Sequence, residues 1–279
     1  MRHRRIDSSI AQRLSWVLIS TLLMLVSAFP TQGQCSSGGT WSLENVETRP
    51  ESPLQAEVVQ FVIRSLPDGT KSANEIWEKI SRDSKGRVRV DRYMMGGRPV
   101  DPWMLTIVPG DFDGVGGDIP EPSRKETPDQ SFMDDPCTGK QLVFEASKQT
   151  VKISKVPLGP PASAQALCTD PDPNHPPQPA PMGIYQYLGH RQFLGAAAFG
   201  IRNATYASLE DKRLNRNPVD SAESWCSDEI GVSLAIASHH SASRLDVKVV
   251  VRRLIRTEPD PVLFEIPAGY HVIERQANQ

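Results

Sequence analysis

The residue types and spacings that could do chemistry in this 279-residue chain are few. Carboxylates and glycines alternate in Gly110-Asp111-Phe112-Asp113-Gly114-Val115-Gly116-Gly117-Asp118. A loop of this kind can wrap a hard cation such as calcium with oxygen ligands. Asp111, Asp113 and Asp118 are the candidate metal ligands. Val115 takes the place of a further acid, so the set is incomplete and an acidic surface loop is the simpler reading. His239 and His240 are adjacent, and neighbours on a strand point to opposite faces. They read as solvated strand-end residues rather than a ligand pair. No G-x-S-x-G elbow, H-E-x-x-H pair, phosphate loop or dinucleotide fingerprint occurs. The expectation is a non-catalytic protein with no cofactor.

Arginines gather in two places: Arg82, Arg87, Arg89 and Arg92, then Arg252, Arg253 and Arg256. Such groups can hold phosphate bidentately. As the wet face and protected edge of a sheet they need no ligand, and that is the plainer reading. Trp77, Trp103, Trp225, Tyr185 and Tyr187 read as core packing rather than a ligand cage. Four cysteines, Cys35, Cys137, Cys168 and Cys226, include no C-x-x-C pair, which argues against a redox motif or a zinc knuckle. In an oxidising compartment one or two disulfides are expected, and four cysteines allow three connectivities. Cys137 with Cys168, closing a loop over a proline-rich stretch, is the candidate pairing.

The first 34 residues supply that compartment. Arg2, Arg4 and Arg5 precede a mostly apolar run from Trp16 to Phe29, and Pro30 to Gln34 form a short exit containing Thr31 and Gly33. This is the pattern of a cleaved export signal, ahead of a cut near Gln34 or Cys35. The run is too short for a helix that crosses a hydrocarbon core of about 30 Å. The chain counts 31 basic and 33 acidic residues; setting aside four arginines and one aspartate in the signal leaves a net charge near −5. That balance gives no general attraction to nucleic acid or anionic lipid. A periplasmic or extracellular protein, not integral to a membrane, is expected.

The elements that must position these residues are strands. Residues 35–53 read as a flexible leader. From Ala56 to Tyr93 the pattern predicts three antiparallel strands, with Val59, Phe61 and Ile63 alternating with other side chains and Arg87 to Arg92 alternating charge with valine. Pro67-Asp68-Gly69 and Asp83-Ser84-Lys85-Gly86 supply turns. A glycine- and proline-rich excursion follows, then a second hairpin-like group from Ser131 to Val156. Residues 157–182 hold nine prolines, which defeats helix and central strand alike. That loop divides a single domain, 54–275, into β-rich halves, 54–156 and 183–275. In the second half, Ile184–Leu188, Gln192–Tyr206, Ser221–Cys226, Gly231–Ser238 and Arg244–Arg256 read as strands. No sustained helical stripe appears. The fold class is mainly β: a curved antiparallel sheet or half-open barrel with long Pro/Gly-rich loops and few helices.

Several phrases occur together in order: Ser65-Leu66-Pro67-Asp68-Gly69-Thr70, Arg82-Asp83-Ser84-Lys85-Gly86-Arg87-Val88-Arg89, Asp135-Pro136-Cys137-Thr138-Gly139, Tyr187-Leu188-Gly189-His190-Arg191, Glu223-Ser224-Trp225-Cys226-Ser227-Asp228-Glu229-Ile230 and Glu258-Pro259-Asp260-Pro261 through Tyr270. Across residues 54–275 this set resembles a group of uncharacterised exported bacterial proteins, with Cys137 and Cys226 in places of an aliphatic residue and a tyrosine. More loosely, hairpins followed by a closing Phe-x-Ile-Pro-x-Gly-Tyr phrase are similar to the LolA/LolB-like lipoprotein-carrier superfamily. The resemblance implies a half-open sheet whose concave apolar face receives a hydrophobic ligand or an envelope protein. An interaction module of the envelope without a small ligand is the alternative, and a hydrolase a more distant one.

Overall fold

Period-two alternation becomes strands wherever a turn lets the chain reverse. The computed structural model describes residues 46–99, 127–155, 168, 170–171 and 177–275. These lie within one unit, Cys35–Gln279. The strands are β1 (Leu54–Ser65), β2 (Lys71–Arg82), β3 (Val88–Pro99), β4 (Gln130–Asp135), β5 (Lys140–Glu145), β6 (Thr150–Lys155), β7 (Gly183–Phe193), β8 (Ala196–Thr205), β9 (Asp220–Ser227), β10 (Val232–His240), β11 (Leu245–Ile255) and β12 (His271–Arg275). A short helix, α1 (Leu209–Arg213), is capped by Ser208, whose hydroxyl accepts the Asp211 N–H. Among the described residues, no helix is long and apolar enough to cross a membrane.

All twelve strands join one open, curved sheet in the order β12-β6-β5-β4-β3-β2-β1-β11-β10-β9-β8-β7. The first strand of the chain pairs with β11, so strands from both sides of the proline-rich stretch share the sheet. Neighbours are antiparallel except at one edge, where β12 pairs parallel with β6. A connection from β11 must therefore cross six strands to reach β12. Residues 256–270 make that crossing and act as a strap.

Register assigns the side chains to two faces. On one, Leu54, Ala56 and Val58 of β1 join Ile80, Val88, Val90, Val249 and Val251. On the other, Val59, Phe61 and Ile63 join Ala73, Trp77, Val250, Ala235, Ala237 and Trp225. The same second face continues through Met133, Leu142, Phe144, Val151 and Ile153, which the strap covers with Phe264. Burial on both faces departs from a sheet with one wet side, and explains why so many strand positions are apolar. A bulge between Glu57 and Val58 opposite β11 lets both Arg252 and Arg253 approach Glu57.

Residues 46–53, read from sequence as part of a flexible leader, are packed instead. Val46 is fully buried and bridges Val232 beyond the end of the β10–β11 pairing. The cause is Arg82, also fully buried, which donates to the Glu47, Ser52 and Ile230 carbonyls and to the Ser52 hydroxyl. One guanidinium thus satisfies three backbone segments that would otherwise end unpaired.

Candidate functional site

A cleft of about 230 Å³ lies on the second face, between the strap and the ends of β1, β2, β3 and β11. Gln55 and Glu57 of β1, Lys79 and Ser81 of β2, Asp91 of β3 and Arg253 of β11 line it. Ile255 and Leu263 add apolar wall. Register explains the lining: Asp91 stands opposite Lys79, Lys79 opposite Glu57, and Glu57 opposite Arg253. Charges thus alternate across four strands, which is how a sheet accommodates ions without like-charge repulsion. Arg89 bonds the Asp91 carboxylate at 2.9 Å and donates to the Leu263 carbonyl at 2.6 Å, fastening the strap over the cleft. Arg87 stacks on Phe264 of the strap at 4.6 Å.

The two arginine groups of the sequence therefore split. Arg89 on β3 and Arg252 and Arg253 on β11 flank one cleft, about 14 Å apart by three strand spacings. Arg82 is the buried clasp, Arg92 pairs with Glu78 at 2.8 Å on the other face, and Arg256 pairs with Glu229.

Deeper on the second face a row of paired residues runs across the sheet: Tyr93, Trp77, Val59, Val250, Ala235, Trp225 and Gly200. Both tryptophans are buried, as core residues should be. Each donates its indole N–H to the glutamate two positions earlier, Trp77 to Glu75 and Trp225 to Glu223. Each ring also carries an arginine, Arg252 at 5.5 Å over Trp77 and Arg191 at 4.8 Å over Trp225. The signal for this device is the repeated Glu-x-Trp, whose spacing of two puts both side chains on one face. Reading the tryptophans singly conceals it.

The other candidates fare differently. Asp111, Asp113 and Asp118 lie outside the described residues, as does Trp103. His239 and His240 sit exposed at the end of β10 and pair with Asp246 and Asp220 respectively. His190, Tyr187 and Asp170 hold one another on the surface, His190 at 2.9 Å from the Asp170 carboxylate. Among the described residues, no group of three or more His, Cys, Asp and Glu side chains could hold a metal.

The disulfide pairing is corrected. Cys168 pairs with Cys226, not with Cys137, at a Cα separation of 5.4 Å. The sheet, not sequence proximity, decides it: Cys226 on β9 faces Phe199 and the buried Cys168. The Cys168 N–H is held by the Glu47 carboxylate at 3.0 Å. Cys137 is disulfide-bonded too.

No family model matches the chain, and no curated protein does. Solved structures similar to it include an uncharacterized conserved protein from Thermus thermophilus, at 10% identity over 81% of this chain and 91% of that one, with a TM-score of 0.38. The MucA/MucB complex of Pseudomonas aeruginosa matches at 14% identity and a TM-score of 0.32, over 80% of this chain and 57% of that one. A LolA superfamily protein from Nitrosomonas europaea matches at 8% identity and 0.25, over 78% and 91%.

Proposed function

We propose that the protein is an exported, non-catalytic binding protein that takes an amphipathic ligand in the strap-roofed cleft. The carrying observation is the lining itself, in which alternating charged side chains meet Ile255 and Leu263 under one strap. A ligand with a polar head and an apolar body matches both halves, and a wholly apolar one would cover the Lys79 ammonium, which has no carboxylate within ion-pair distance among the described residues. Export is supported by the basic, apolar, small-residue start of the chain and by the Cys168–Cys226 disulfide, which persists where the surroundings are oxidising. Native mass spectrometry of the purified protein, with extraction of what it carries, tests this reading. A co-purifying amphiphile lost on filling the cleft by Ser81→Trp is expected; retention of the same amphiphile by that variant sinks it.

A second reading, attachment to an envelope protein, is favoured by one observation. Among the described residues, strand β12 is the edge of the sheet, with Val272 and Ile273 52% and 45% exposed. Open edges with apolar side chains invite another strand. Cross-linking from position 272 in cells should recover one consistent protein partner; a scatter of unrelated products would count against it.

A further inference from the structure

Resting on the cleft reading above, we propose that the ligand's polar head is anionic, a phosphate group or its ester. The lining itself balances, Lys79 and Arg253 against Glu57 and Asp91, and the positive excess comes from its margin, where Arg89 holds Asp91 and Arg252 faces Glu57. The carboxylates are occupied. Asp91 is held by Arg89 at 2.9 Å, and Glu57 faces Arg252 at 3.6 Å and Arg253 at 3.8 Å. Among the described residues no carboxylate lies within ion-pair distance of Lys79, whose ammonium instead stands 5.7 Å from the centre of the Tyr93 ring.

Arg253 is the second donor the cleft can spare. Its side chain is 63% exposed, and its contact with Glu57 is long beside the Arg89–Asp91 bond. A guanidinium so placed can turn its planar fork to two oxygens of a phosphate. Lys79 and Arg253 lie on opposite sides of β1, two strand spacings or about 10 Å apart, and long side chains can converge over it. The Ser81 hydroxyl adds a neutral donor in the same lining. Desolvation of the anion is slight here, because the cleft stays open to water on one side while the strap supplies apolar contact through Leu263. An ester carrying an alkyl body would use both.

The test compares three probes by calorimetry on the full chain: inorganic phosphate, dodecyl phosphate, and an uncharged dodecyl glycoside. The double variant Lys79→Gln/Arg253→Gln is measured beside the parent, with melting curves to show that these surface changes leave the fold intact. Dodecyl phosphate is expected to bind at least about tenfold tighter than the glycoside, to lose about tenfold in the variant, and to weaken as salt shortens the screening length. Inorganic phosphate binding in the same cleft would support a free anion as ligand; binding of the alkyl ester alone would support a lipid headgroup. Equal binding of glycoside and dodecyl phosphate, or parent-like affinity in the variant, overturns the anionic head and leaves the cleft reading standing. No binding of any probe overturns both.

Discussion

At the scale of single residues, two positions show how narrowly the second face is built. A Cβ on Gly200 would stand 2.7 Å from the Trp225 ring, so only hydrogen fits beneath the indole. Gly200→Ala should cost about 1–3 kcal/mol through overpacking, read as a lowered melting midpoint with loss of the near-ultraviolet tryptophan signal. Unchanged stability and spectrum would mean that the ring does not rest there. Asp134 is the opposite case, a carboxyl buried beside Val88 with one oxygen unpartnered. Burial raises its pKa from 3.8 to about 6, with the Gln141 hydrogen bond pulling the other way. A folded pKa above the unfolded one means that the native state holds the proton more tightly. The site therefore costs nothing at pH values below about 4, and its cost grows as pH rises to about 6 and then levels, at a limit of about 3 kcal/mol. Asp134→Asn should accordingly raise stability at pH 8 by about 1–3 kcal/mol and leave it unaltered near pH 4. Denaturant titrations of both proteins at the two pH values decide it; a gain that does not depend on pH would refute the assignment.

At the scale of elements, the described structure is held at its margins by specific fasteners rather than by more core. Arg82 ties the segment before β1 to the β9–β10 turn, and Cys168–Cys226 ties the proline-rich stretch to β9. Arg82→Met would leave the buried Glu47 and Ile230 carbonyls and the half-buried Ser52 carbonyl without that donor, and a loss of about 3–5 kcal/mol is expected. Faster amide exchange should appear first around Val46 to Pro53, while the β1–β2 amides stay slow. Global loss of protection with no such order would show that the clasp is part of the main cooperative unit. The disulfide spans 58 residues, and removing it by Cys168→Ser/Cys226→Ser should cost about 4 kcal/mol on the chain-entropy account. Equilibrium melts of the parent and the double serine variant measure it directly. These two fasteners meet at Glu47, whose carbonyl accepts from Arg82 and whose carboxylate accepts the Cys168 N–H. Losing both should then cost less or more than their sum, since they share a partner.

At the scale of the whole molecule, what the sequence made legible was whatever rests on local pattern. Val59-Phe61-Ile63 and the Arg–Val alternation of 87–92 gave strands, and Asp68-Gly69 and Ser84-Lys85-Gly86 gave turns. Hidden were the features set by contacts between distant segments. Nothing near Cys168 favours Cys226 over Cys137 until β9 stands beside the proline-rich stretch. Nothing near Arg89 announces Arg253, because a cleft joins them only through the pairing of β1 with β11. Strand β12 is hidden for the same reason: five residues, His271–Arg275, become a strand only by parallel pairing with β6, which needs the strap to cross the sheet. The strap is therefore where global topology meets the site. Phe264 is its anchor, buried among Met133, Phe144 and Val151 with Arg87 stacked on it. Phe264→Ala should cost about 3–5 kcal/mol of that local packing. Because β12 has no neighbouring strand on its outer side among the described residues, the loss should free the strap and β12 together, without melting β1 to β3. Hydrogen exchange is expected to quicken from Asp260 to Arg275, and dodecyl phosphate binding to weaken as Leu263 leaves the cleft. Exchange confined to residues 261–264, with β12 still protected, would show that the edge strand holds on its own and that the cleft's roof is not governed by this one aromatic contact.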